Sequence, residues 1–306
     1  MLKNKRISVF LAASAILVPL FILGFDITKS TQKTPIGEAA SISAIRPYIA
    51  SQQIPELYPL RNWKIDSYDV NARSALAIEM PAGKVLYEKN IFEQHPIASI
   101  TKLLTAITAV RHMDLAGQVT ITLSAIETPD DSAHLRAGQT FSVRELLYAI
   151  LLESSNDAAV ALAEHYGADF TAVMNEEFKS ITGKDGSFIE PTGLSSQNMA
   201  AAVDVAKMLY AAAQDEILAK VMHMPDYFVY RGGLITHKWE NSNELLLRND
   251  VVGGKTGFTD EAGESMAVLA ISPSHSNIIT VVLNAEDREL QTEELLDWVH
   301  DAYIWK

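Results

Sequence analysis

Strand-forming sequence stands at both ends of this chain, and helix-forming sequence fills the middle. Residues 74–80 are mostly apolar, Pro81-Ala82-Gly83 turns the chain, and residues 84–88 run back, the pattern of a β-hairpin. Residues 251–258, 265–271 and 277–283 read as three further strands, neighbours in an antiparallel sheet. Between the two groups, Ile100, Leu103, Leu104, Ile107 and Val110 mark one helical face. Ser142-Val143-Arg144-Glu145 has the form of a capping box and opens a helix carrying Leu146, Leu147, Ile150 and Leu151. Residues 153–156 interrupt that helix, and a second runs over 157–166 to Gly167. Further helices fit 170–179 and 198–213, and a last one carries Leu295, Leu296 and Trp298. The strands from the two ends must meet in one sheet. The pattern therefore predicts an α/β (α+β) fold: an antiparallel sheet flanked by helices, with a helical region inserted.

A chain of 306 residues with 48% hydrophobic content can bury the core this requires. Its formal charge of −13 argues against nucleic acid as a partner, which needs a basic face. With no cysteine there is no disulfide, thiol nucleophile or thiolate metal site. The eight histidines form no metal-binding pattern, and a phosphate-binding glycine loop is absent, so the sequence calls for neither metal nor cofactor. Nor is there a G-x-S-x-G elbow of the α/β-hydrolase kind.

At the N-terminus Lys3, Lys5 and Arg6 precede an uncharged run of 19 residues, 7–25. This is close to the roughly 20 residues that span a bilayer. We read residues 1–28 as an uncleaved signal-anchor, 29–60 as a linker and 61–306 as the functional domain. The positive-inside rule keeps the first residues in the cytoplasm and places the domain outside it. The expected setting is a cell membrane, spanned once.

Three short motifs carry the chemistry, in the order Ser99-Ile100-Thr101-Lys102, Ser154-Ser155-Asn156 and Lys255-Thr256-Gly257. Ser99 and Lys102 are three residues apart at a helix start, hence on one face. The free N–H groups there favour developing negative charge, and a lysine desolvated among apolar neighbours can serve as a neutral base. Ser154 can shuttle a proton, and Asn156 can hold a substrate carbonyl; as an alternative, Asn156 caps the next helix. Lys255 and Thr256, on an edge strand, can bind a carboxylate. Gly257 allows close approach of substrate backbone, and the N–H of Phe258 can join that of Ser99 in an oxyanion hole. Two of the patterns recur: Ser30-Thr31-Gln32-Lys33 repeats the first inside the linker and carries no functional weight, and Ser196-Gln197-Asn198 repeats the second, where the helix-turn-helix setting favours Ser154-Ser155-Asn156.

Together the motifs resemble those of the penicillin-binding protein and serine β-lactamase superfamily, in particular its D-alanyl-D-alanine carboxypeptidase branch of low molecular weight. Pro96-Ile97-Ala98-Ser99-Ile100-Thr101-Lys102-Leu103-Leu104, Leu151-Leu152-Glu153-Ser154-Ser155-Asn156-Asp157-Ala158-Ala159 and Gly254-Lys255-Thr256-Gly257-Phe258-Thr259 carry the likeness. It extends from about residue 65 to the end. The resemblance implies a β-lactamase/transpeptidase-like fold and a serine-type carboxypeptidase acting on the D-Ala-D-Ala end of peptidoglycan stem peptides. It implies Ser99 as the acylated nucleophile, Lys102 as general base, and Ser154, Asn156 and Lys255 completing the site. Thr256 would contact the substrate carboxylate, as would Arg288, placed just before the last helix. β-Lactam antibiotics would be covalent inhibitors.

Two departures bear on this. The branch often has a second C-terminal domain and a membrane-binding terminal helix, whereas this chain stops at Lys306, which leaves anchoring to the N-terminal segment. Glu190-Pro191-Thr192-Gly193-Leu194 stands where carboxypeptidases tend to have Asn-Pro-His-Gly-Leu. Some related D,D-endopeptidases, which cut cross-links, carry Glu-Pro-Thr-Gly-Leu there. A class A β-lactamase is a further alternative, because those enzymes use a loop glutamate to activate the deacylating water. Their partner asparagine is replaced here by Leu194. A non-catalytic penicillin or cell-wall sensor is the alternative outside enzymes, and the intact set of motif residues argues against it.

Overall fold

The computed structural model describes residues 59–80, 82–130 and 132–306. The expected signal-anchor lies outside the described residues, as does all of the linker but its last two residues. Among the described residues no helix is long and apolar enough to cross a membrane. All of them belong to one compact unit.

The hairpin forms as β1 (Ala72–Met80) and β2 (Lys84–Lys89). A helical block follows: α1 (Thr101–His112), α2 (Val143–Leu151), α3 (Asn156–Tyr166), α4 (Phe170–Thr182), α5 (Ala202–Ala213) and α6 (Glu216–His223). A second hairpin, β3 (Asp226–Arg231) and β4 (Leu234–Glu240), comes next. Then β5 (Val251–Gly257), β6 (Glu264–Ile271) and β7 (Asn277–Ala285) lead into α7 (Arg288–Ala302).

The main sheet is antiparallel in the order β5-β6-β7-β1-β2, so strands from the two chain ends pair at β7 and β1. Both faces of its centre are covered, and this explains why β6 and β7 are apolar without alternation. Period-2 geometry sends alternate residues to opposite sides. Met266, Val268 and Ala270 pack with Leu295, Leu296 and Val299 of α7. Ala267 and Leu269 join the core of the helical block with Leu104, Ile107 and Leu147. The expected fold class is the observed one.

Local signals set most element ends. Ser142 accepts from the Glu145 amide and Glu145 reaches back to the Ser142 amide, so the capping box forms. The helix expected from 198 starts at Ala202, because residues 199–200 pair with His95-Pro96 as a short strand. That pairing ties the segment before α5 to the turn that carries Ser99. Hairpin β3–β4, missing from the sequence reading, is exposed over much of its length and alternates too weakly to stand out.

Candidate active site

Ser99 sits in a one-turn 3-10 helix, Ala98–Ile100, that runs directly into α1. Ala98 is held at φ 44°, a left-handed conformation costly for a residue with a side chain. Ser154 is held likewise at φ 63°. Such strain persists only where the surroundings enforce it, and here both strained positions border one cleft.

Lys102, fully buried on the first turn of α1, is the hub of that cleft. Its Nζ lies 2.9 Å from Ser99 Oγ, 2.7 Å from Asn156 Oδ1 and 2.8 Å from the Thr192 carbonyl. Asn156 Oδ1 and the Thr192 carbonyl can only accept. A neutral amine would give its two protons to them and turn its lone pair toward the Ser99 hydroxyl, the arrangement a general base needs.

Lys255 is the second buried lysine, with Nζ 3.0 Å from Ser154 Oγ and 3.2 Å from the Thr256 carbonyl. Burial holds it well below the ordinary lysine value, and the positive charges of Lys102 and Arg288 press the same way. A ligand carboxylate beside it would restore the charged form.

Strand β5 is the edge of the main sheet, as expected, and it brings Lys255 beside the nucleophile turn. The reason is Gly257. A Cβ there would lie 2.9 Å from the Ile97 carbonyl and 3.2 Å from the Ser99 amide, so only glycine lets the strand end this close. The cleft itself holds about 480 Å³ and is lined by Ser99, Ser154, Asn156, Leu194 and Phe258, with Asp130, Glu153, Asp260 and Glu261 at its polar wall.

Ser99, Lys102, Ser154, Asn156, Lys255 and Phe258 thus come together. Thr256 is buried on the strand, and its hydroxyl meets Ser242 Oγ at 3.0 Å. Arg288 is the first residue of α7 rather than a position before it; its Nη1 lies 3.3 Å from the Gly257 carbonyl and its Nε 2.7 Å from Glu289. It reaches the end of β5 through that carbonyl. The cap of α3 also differs from the alternative read for Asn156: Ser155 accepts from the Ala158 amide, leaving Asn156 as the first helical residue with its side chain on Lys102. Ser242 and the Thr192 carbonyl went unnoticed in the sequence, because a backbone carbonyl and an isolated serine carry no motif.

Glu190 turns its carboxylate onto its own loop, accepting from the amides of Thr192, Gly193 and Ser195. One acidic trio exists among the described residues: Glu264, Asp287 and Glu289 bring oxygens within 4.8 Å of one another. Each already has local work: Glu264 accepts from the Arg288 amide, Asp287 caps α7 and Glu289 pairs with Arg288.

A sequence model of the D-alanyl-D-alanine carboxypeptidase family matches residues 62–287. A D-alanyl-D-alanine endopeptidase of Pseudomonas aeruginosa is 34% identical over 221 residues, 69% of this chain and 71% of that protein. The D-alanyl-D-alanine carboxypeptidase DacF of Bacillus subtilis is 30% identical over 247 residues, 76% of this chain and 63% of that protein. The crystal structure of the Streptomyces K15 DD-transpeptidase superposes with a TM-score of 0.72 at 25% identity, covering 78% of this chain and all of that one. The fold is that of the β-lactamases and penicillin-binding proteins, and the chain belongs to the D-alanyl-D-alanine carboxypeptidase family of serine D,D-peptidases.

Proposed function

We propose that this chain is a D,D-endopeptidase that opens peptidoglycan cross-links through an acyl-enzyme on Ser99. The observation that carries the acyl-enzyme is the short contact of buried Lys102 with Ser99 Oγ. Lys102 takes the Ser99 proton as Oγ attacks the D-Ala carbonyl. The N–H groups of Ser99 and Phe258 receive the oxyanion, an arrangement supported by the close approach of Gly257 to the Ser99 amide. Ser154, bridged to Lys255, passes a proton to the leaving amine. Lys255, with Thr256 beside it, attracts a substrate carboxylate, and Arg288 steadies the strand that carries them. Water then releases the acyl group.

Glu190-Pro191-Thr192-Gly193-Leu194 and the endopeptidase named among the relatives favour cross-link cleavage. Carboxypeptidase action on the D-Ala-D-Ala end is the second reading, favoured by the family's description and by DacF. The engagement of Glu190 with its own loop weighs against its activating water as in a class A β-lactamase. The complete site weighs against a sensor without turnover. The same reading places the domain outside the cytoplasm, held at the membrane by residues 1–28. A reporter fused after Lys306 should then be active only outside the cytoplasm.

The test is the full-length chain in detergent with benzylpenicillin, followed by intact mass. A lasting one-to-one adduct, absent in Ser99→Ala, is expected. An adduct lost within seconds while drug is consumed would mean a lactamase, and no adduct would sink the site reading. On muropeptides, cross-linked dimers should disappear faster than D-Ala leaves a pentapeptide; the reverse order would mean a carboxypeptidase.

A further inference from the structure

Both oxygens of Glu190 are committed. Oε1 accepts from the Gly193 amide at 2.8 Å, the Ser195 amide at 3.3 Å and Asn198 Nδ2 at 2.8 Å. Oε2 accepts from the Thr192 amide at 2.6 Å and from the Thr192 hydroxyl. Donors thus approach from both sides, which a carboxylate satisfies and an amide does not.

The loop so wrapped is pressed against the nucleophile from two directions. Its Thr192 carbonyl holds Lys102 Nζ, and its Pro191 carbonyl accepts from Thr105 Oγ1 one turn further along α1 at 2.6 Å. Gly193, at φ +90°, lies so close to the Ser99 turn that a Cβ would come within 1.9 Å of the Ala98 carbonyl. At the far end Asn198 accepts from the Ile97 amide at 3.1 Å through its carbonyl. The loop therefore fixes both partners of the proton transfer, and the Glu190 carboxylate fixes the loop.

We propose that Glu190 is a positioning residue for acylation: its carboxylate folds residues 190–198 into the shelf that holds Lys102 against Ser99. This deepens the acyl-enzyme reading and rests on it. Glu190 touches neither substrate nor reacting atoms. A misplacement of about 1 Å at a reacting group can cost a hundredfold in rate, so a defect in the shelf should slow the chemical step and not initial binding.

The experiment compares Glu190→Gln with wild type as full-length chains in detergent, using benzylpenicillin. It reads adduct stoichiometry by intact mass, the acylation rate constant apart from the initial dissociation constant, and the deacylation rate. The expected result is one adduct per chain, an unchanged initial dissociation constant and acylation slowed about tenfold to a hundredfold. Reduced stoichiometry, with the reactive fraction acylating at the wild-type rate, would mean that Glu190 only holds the fold, and would overturn the proposal. Wild-type acylation with arrested deacylation would make Glu190 the base for water and overturn it equally, as would wild-type rates in both steps. If Glu190→Gln does not fold, Thr105→Val removes the tether of the same loop from the helix side and is read by the same constants. A wild-type chain that takes no penicillin would instead refute the acyl-enzyme reading beneath the proposal.

Discussion

Lys102 and Lys255 show how burial gives two lysines different environments. Lys102 meets three oxygens, whereas Lys255 has one hydroxyl and one carbonyl within reach. Lys255 gives up its proton more readily in the folded protein than in the unfolded chain, because burial and then the Lys102 charge disfavour its ammonium. Between that lowered value and the ordinary lysine value of 10.5, the unfolded chain binds more protons, so this group makes stability rise with pH. One such proton contributes at most about 1.4 kcal/mol per pH unit. Lys255→Met removes the contribution. Wild-type stability measured by urea unfolding should therefore climb relative to Lys255→Met as pH rises through that window. A difference flat with pH would show that Lys255 keeps its ordinary proton affinity on folding.

Two serine caps separate stability from catalysis among the elements. Ser142 caps α2 and Ser155 caps α3, and replacing either by alanine should cost about 1 kcal/mol. Their consequences differ because α3 begins with Asn156, whose Oδ1 holds Lys102, whereas the cap of α2 joins Ser142 to Glu145. Ser155→Ala should lower the melting temperature and slow penicillin acylation; Ser142→Ala should lower the melting temperature alone. Equal acylation rates in the two variants would show that the first turn of α3 does not set the Lys102 geometry. The capping box at Ser142 is visible in four consecutive residues. The Ser155 cap is not, since Asn156 is an equally good capping residue and only the observed backbone chooses between them.

In the whole molecule, strands from either side of the helical block in sequence close one sheet, and the block packs on one face of it. Strand β5 carries Lys255 to Ser154 from 101 residues away, while Lys102 meets Asn156 from 54 and Thr192 from 90. The second core, between α7 and the sheet, shares no residue with the lining of the cleft. Leu296 is fully buried there, so Leu296→Ala should cost about 2–5 kcal/mol. Each folded molecule should still acylate at the wild-type rate. Slower acylation per folded molecule would mean that the α7 core also sets the position of β5.

The sequence by itself determined what repeats locally: helical and strand periods, the Ser142 cap, the order of strands around a helical block, and the family likeness of the three motifs. Local spacing suffices for these because backbone geometry ties period to element. Only the tertiary structure decided the rest. It set Asn156 Oδ1 on Lys102 and left Asn198 of the second copy beside Glu190. It placed Arg288 on the Gly257 carbonyl and revealed the Thr192 carbonyl under Lys102. Those contacts join residues far apart in the chain through backbone atoms and packed faces. They form only when whole elements dock, so no short run of residues encodes them.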